Sequence, residues 1–175
     1  MADGSDLWER IRIHDASAFE AFYRNNAGRL CAYLQQIVGS RQVAEDLMQE
    51  TFIQIWKSPN GFQPELGSLR GYLFGIGRKR AAEWWRKRRV VSEERAERGD
   101  EPAKDAASLS AVADVFGRLS EEQRSILWLR EVEGESYAEI ATILQIPVGT
   151  VKSRLFVARE ELRRMWRSSC SAARS

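Results

Sequence analysis

Histidine, cysteine and proline are scarce in this chain: one His, two Cys and four Pro in 175 residues. With His14 as the only imidazole, Ser-His or Cys-His catalysis and histidine-based metal sites have almost nothing to draw on. Cys31 and Cys170 lie far apart with no CxxC spacing, so neither a disulfide framework nor a zinc site is supported. Cys31 sits in an apolar helical pattern and reads as a small core residue. No glycine-rich phosphate cradle occurs. No apolar run approaches the ~18 residues that span a membrane, and "MADGSDLWER" lacks the basic-then-apolar layout of a secretory signal. These absences lead us to expect a soluble, cytoplasmic chain without membrane insertion, metal, cofactor or catalytic constellation, and so not an enzyme.

What is present points to helices. Hydrophobic residues make up 43%, enough for a core, and charged residues 30%, which suits much exposed helix surface. Few prolines and no long alternating Val/Ile/Thr runs lean the chain to all-α. The net charge is only +2, but it is unevenly spread. Arg70 to Arg89 holds eight Lys/Arg against one Glu, and Pro147 to Arg167 six against two. Glu93 to Asp105 and Ser120 to Glu139 are acidic. Two basic patches separated by acidic segments suggest two contact points on a polyanion.

Apolar residues recur at helical spacing from Asp15 to Gly39, with Asp15 or Ser17 as a cap and Gly39 as a stop. A second helix is predicted from about Arg41 to Lys57. A loop follows over "SPNGFQPELGS", and then a third helix over about Ser68 to Arg89. "SEERAERGDEPAKDAAS", Ser92 to Ser108, has no large apolar residue and reads as a flexible linker. Beyond it, Ser120-Glu121-Glu122-Gln123 and Ser136-Tyr137-Ala138-Glu139 are capping-box patterns that open two further helices. The expected architecture is all-α, two small helical domains over 1–91 and 109–175, joined by a linker over 92–108.

"SYAEIATILQIPVGTVKSRLFVAREEL" reads as helix, tight turn, helix. Val151, Leu155, Ala158 and Leu162 make an apolar stripe on the second helix. At ~100° per residue, Lys152, Ser153, Phe156, Arg159 and Arg163 fall on the other side. Cations for phosphates or guanine edges, a hydroxyl and an outward aromatic are what a major-groove recognition helix needs. The C-terminal domain is therefore expected to be a DNA-binding helix-turn-helix. On the 41–57 helix, Asp46, Gln49, Glu50 and Ile53 follow the i, i+3, i+4, i+7 spacing. An acidic and amide stripe with an outward Ile suggests a protein-binding face; an ordinary solvated face has the same pattern.

Three segments together, "FEAFYRNNAGRLCAYLQQIVGSRQVAEDLMQETFIQIWK", "LRGYLFGIGRKRAAEWWRKRR" and "LSEEQRSILWLREVEGESYAEIATILQIPVGTVKSRLFVARE", resemble a bacterial RNA polymerase sigma factor of the short extracytoplasmic-function (ECF) group. The resemblance implies that Asp46, Gln49, Glu50 and Ile53 meet the β′ clamp helices of core RNA polymerase. It implies that the loop and helix from Asn60 to Arg89 recognise and hold the melted −10 promoter element, with Asn60, Phe62, Arg78, Lys79, Trp85, Arg86, Arg88 and Arg89 as candidate contacts. It implies that Lys152, Ser153, Arg154, Phe156, Arg159 and Arg163 read the −35 element; Val157 stands where the family often has a contacting Arg. A cognate anti-sigma factor is a further implied partner. The runner-up reading is a stand-alone helix-turn-helix regulator whose N-terminal domain senses or dimerises.

The paired tryptophans in "RKRAAEWWRKRR" divide on the helical wheel. Trp84 lies about 20° from Leu73 at ~100° per residue, and extends the Leu69, Leu73, Ile76 stripe as core. Trp85 lies at the stripe's edge, where packing and stacking on a base are both open to it.

Overall fold

The computed structural model describes residues 4–96, Phe116 and 118–172, and among them every regular element is helical. They form two compact units. The N-terminal unit is built on α1 (Gly4–Arg12), α2 (Ala16–Val38), α3 (Arg41–Lys57) and α4 (Leu69–Ala96). Single 3-10 turns at Pro59–Gly61 and Pro64–Leu66 shape the connection between α3 and α4. The C-terminal unit is built on α5 (Glu121–Leu127), α6 (Tyr137–Leu144) and α7 (Val148–Ala172).

Local chemistry sets the helix ends. The Asp15 carboxylate caps α2 by accepting from the backbone N–H of Ser17 at 2.9 Å and of Ala18 at 3.1 Å. Gly39 closes α2 in the left-handed region at φ 76°, which a β-carbon would strain. Ser40 caps α3. Leu30, Leu34 and Ile37 of α2 are fully covered, as are Ile55 of α3 and Leu73 and Phe74 of α4. Thr51 sits in this core because its hydroxyl donates to the Leu47 carbonyl at 2.7 Å, which removes the cost of burying it. Cys31 is half-buried, and burial pushes its thiol up. The side chain of Cys170 lies outside the described residues.

Three expectations change. Residues 4–12 form a helix that the spacing did not announce; Trp8 and Ile11, three apart on one face, are buried. The third helix does not end at Arg89. It continues to Ala96, through the first five positions of the expected linker, whose remainder lies outside the described residues. A nucleated helix can propagate without apolar residues, and Glu, Arg and Ala propagate it well. Finally, the helix opened by Ser120 keeps α geometry only as far as Leu127.

That helix begins with both arms of a capping box between Ser120 and Gln123. It then widens into a π turn over Trp128–Val132, which lets the Glu133 N–H bond to the Trp128 carbonyl at 3.0 Å. The wider turn brings the Glu133 carboxylate to the Trp128 indole N–H at 3.2 Å. Downstream, α6 and α7 are bent 97° apart about Gln145–Pro147, in the range of helix-turn-helix motifs. Gln145 takes the left-handed conformation that makes this turn tight. Val151, Leu155 and Ala158 are buried as one stripe of α7, with Leu162 half-covered.

Asp15 offers a test of this capping. The Ser17 hydroxyl, the Ala18 backbone N–H and Arg10 hold its carboxyl well below the ordinary 3.8. A folded pKa below the unfolded value adds stability above pH 3.8, which is lost as pH falls through the folded pKa. Asp15→Ala should lower the melting temperature followed by circular dichroism at neutral pH, and the gap from wild type should narrow steadily in acid.

Candidate functional site

The outward face of α3 is a stripe beside a groove. Asp46, Gln49, Glu50 and Ile53 are all exposed; Ile53 keeps 50% of its surface. Next to them, α2 and α3 leave an open groove of about 760 Å³ lined by Phe19, Tyr23, Gln49, Phe52, Ile53 and Trp56. Its aromatic wall is ordered ring on ring: Tyr23 to Phe52 at 4.8 Å, Phe19 to Trp56 at 4.8 Å. Phe19 and Trp56, both half-buried, line this groove. The signal available was two aromatic pairs at i, i+4, Phe19 with Tyr23 and Phe52 with Trp56, more ring surface than one helix contact buries.

Glu50 is engaged from another helix. Its Oε2 accepts from Arg80 Nη1 at 2.6 Å, while Arg80 Nη2 donates to Gln54 Oε1 at 2.7 Å. Neither Arg80 nor Gln54 stood out by spacing.

In the loop before α4, Asn60 is exposed, but Phe62 is only 8% exposed and packs on Trp8 at 5.1 Å and Tyr72 at 5.6 Å. Phe62 is thus a buried anchor of the loop and not a free stacking surface, because α1 supplies the ring that covers it. Tyr72 closes on Gly61, where a β-carbon would lie 2.2 Å from the tyrosine hydroxyl.

Along α4, Lys79, Arg86 and Arg88 are exposed and Arg78 is half-buried; the side chain of Arg89 lies outside the described residues. The tryptophan pair departs from the wheel. Trp84 is half-buried, with the Arg88 guanidinium 5.1 Å over its ring, so it is not a core residue. Trp85 is also half-buried, and it is the anchored one: its indole N–H donates to the Ile37 carbonyl at 3.2 Å, satisfying an orphan acceptor at the end of α2. An indole held this way is not free to stack on a base.

On α7, Lys152, Ser153 and Phe156 are exposed, Phe156 at 66%. The arginines are held by carboxylates. Arg154 pairs with Glu122 at 3.0 Å and Arg163 with Glu160. Arg159 donates to Glu131 through Nε at 3.0 Å and Nη2 at 2.6 Å. That bond, aided by Tyr137, pushes the guanidinium further above its ordinary value. Among the described residues, no three His, Cys, Asp or Glu side chains are grouped to hold a metal ion. No single described helix is long and apolar enough to cross a membrane.

An acidic, aromatic-walled helix face, a basic helix and a helix-turn-helix on one chain define a DNA-binding factor that also docks on protein. Comparison with known proteins makes this specific. Residues 22–90 match the family described as Sigma-70 region 2, and residues 109–162 match Sigma-70, region 4. The chain is 33% identical to the RNA polymerase sigma-H factor of Pseudomonas aeruginosa, over 89% of this chain and 90% of that protein. It is 31% identical to the ECF RNA polymerase sigma factor SigL of Mycobacterium tuberculosis, over 85% and 89%. Its fold superposes on the sigma factor RpoE of Bartonella quintana, solved in complex with the anti-sigma factor NepR, with a TM-score of 0.72 at 25% identity, covering 85% of this chain and 96% of that one. The protein belongs to the ECF group of RNA polymerase sigma factors. It is a transcription initiation factor that binds core RNA polymerase and promoter DNA and directs promoter-specific transcription; nothing supports the stand-alone regulator.

The Gly61–Tyr72 closure yields a paired prediction. Gly61→Ala should destabilise the N-terminal unit by about 1–3 kcal/mol, because a packed ring must move. Tyr72→Phe should restore most of that loss, since the nearest remaining ring carbon lies at 3.4 Å. Urea unfolding of the two single variants and the double variant measures both effects.

Proposed function

We propose that α3 and its groove are the surface that docks on the β′ clamp helices of core RNA polymerase. One observation carries this reading: Ile53, half-exposed, joins a carboxylate and amide stripe to an open aromatic groove on the same helix. A folded chain gains by burying such a surface, and a partner with apolar and basic groups would cover it. The loop from Asn60 and the cations Arg78, Lys79, Arg86, Arg88 and Arg89 hold the −10 element, the cations chiefly through its phosphates. Lys152, Ser153 and Phe156 lead the reading of the −35 element, with Arg154, Arg159 and Arg163 exchanging a carboxylate for a phosphate as they engage. The chain itself makes and breaks no covalent bond, and it works in the cytoplasm. A cognate anti-sigma factor, as in the complex of the Bartonella quintana relative, silences it by covering these surfaces.

Docking is tested by co-purification with core RNA polymerase. Asp46→Ala combined with Glu50→Ala should lower the amount of polymerase retained, and unchanged retention would refute the docking surface. For the −35 element, the salt dependence of duplex binding by assembled holoenzyme separates the cations. Lys152→Ala should reduce the slope of log K against log salt by about one, the loss of one phosphate contact. Arg159→Ala should reduce it by less, because Glu131 already balances that charge. Equal slopes for wild type and Lys152→Ala would take Lys152 off the DNA.

A further inference from the structure

We propose that Arg80 is a positioning residue for polymerase binding: reaching from α4, it holds Glu50 and Gln54 in the orientation α3 offers to its partner. The inference rests on the docking surface proposed above and adds to it a residue from the neighbouring helix, along with Gln54.

The geometry is specific. Glu50 and Gln54 are one helical turn apart on α3, and the two terminal nitrogens of one guanidinium each take one of them, at 2.6 and 2.7 Å. The contact joins positions 30 apart in the chain, so it exists only because α4 lies along α3. The cation is the covered member of the pair, 26% exposed against 56% for Glu50. Arg80 therefore lies down on α3, while the carboxylate remains open to a partner. Arg80 uses Oε2 of Glu50; a carboxylate has acceptor sites on both oxygens, so Oε1 can still take a donor from outside.

Order is what the arginine contributes. A glutamate alone on a helix surface samples several rotamers and loses them on docking. One already held by a planar fork has lost them in the free chain, so docking proceeds without that penalty. A lysine in the same place would supply charge without the two-pronged hold. If Arg80 merely neutralised Glu50, it would compete with the partner, and its removal would tighten binding. Positioning predicts the opposite sign.

The experiment titrates the labelled full chain with purified core RNA polymerase and follows fluorescence anisotropy, with thermal melting of each variant alongside. Arg80→Ala should weaken binding about two- to fivefold, the range of a partly exposed ion pair. Glu50→Gln should also weaken it, and the Arg80→Ala/Glu50→Gln double variant should lose little more than the larger single loss. Arg80→Lys should recover part of the affinity. Unchanged or tighter binding by Arg80→Ala, with Glu50→Gln still weakened, overturns the inference and leaves the docking surface standing. Strictly additive losses overturn it too, since Arg80 would then act apart from Glu50. Losses in Arg80→Ala and Arg80→Gln that track lowered melting temperatures overturn it in favour of a packing role. If neither Glu50→Gln nor Asp46→Ala weakens binding, the docking surface itself fails and the inference with it.

Discussion

The close approach of α2 and α4 at Gly77 governs the N-terminal unit. A β-carbon at this position would lie 2.9 Å from Leu30 Cδ1 and 3.5 Å from Leu34 Cδ2. Glycine lets the two helix axes come together, and dispersion among Leu30, Leu34 and Leu73 then gains from the short distance. With α4 seated there, its later turns have fixed places. Trp85 meets the open carbonyl at Ile37, and Arg80 comes over the exposed face of α3. The cations proposed to hold the −10 element ride on the same helix. A bulkier residue at Gly77 would disturb the core and the two surfaces that depend on α4.

Electrostatics in the C-terminal unit works differently from the charge count. Arg154, Arg159 and Arg163 sit against Glu122, Glu131 and Glu160. These pairs are exposed and individually weak, but they change what the helix offers to DNA. In the proposed −35 contact, Lys152 and the exposed ring of Phe156 form the available part of the surface, and each of these arginines trades a carboxylate for a phosphate. The acidic segment around the π turn is thus partly the counter-charge of α7.

Much of this was legible in the chain. The caps at Asp15 and Ser120, the stop at Gly39 and the buried stripe of Val151, Leu155 and Ala158 are local features, each settled within one or two turns. The stripe of Asp46, Gln49, Glu50 and Ile53 emerged exposed for the same reason: helical periodicity alone decides which positions share a face. The tryptophan pair shows where periodicity stops. It placed Trp84 in the core and left Trp85 open, whereas the anchored indole is Trp85, because an unsatisfied carbonyl at the end of another helix was within its reach. Phe62 misled in the same way, since its cover comes from Trp8 on a helix that spacing did not reveal.

The sequence by itself determined the helical class, the caps at Asp15 and Ser120, the stop at Gly39, the outward stripe of α3 and the order of charge along the chain. These follow from backbone geometry and from neighbours three or four residues away. The tertiary structure alone decided which aromatics wall the groove, which cations are already paired and which ring is anchored. Those outcomes need partners 30 and 48 residues apart, as for Arg80 with Glu50 and Trp85 with Ile37. Helix periodicity carries no information about which two faces will meet; only packing of the helices brings such groups within hydrogen-bonding distance.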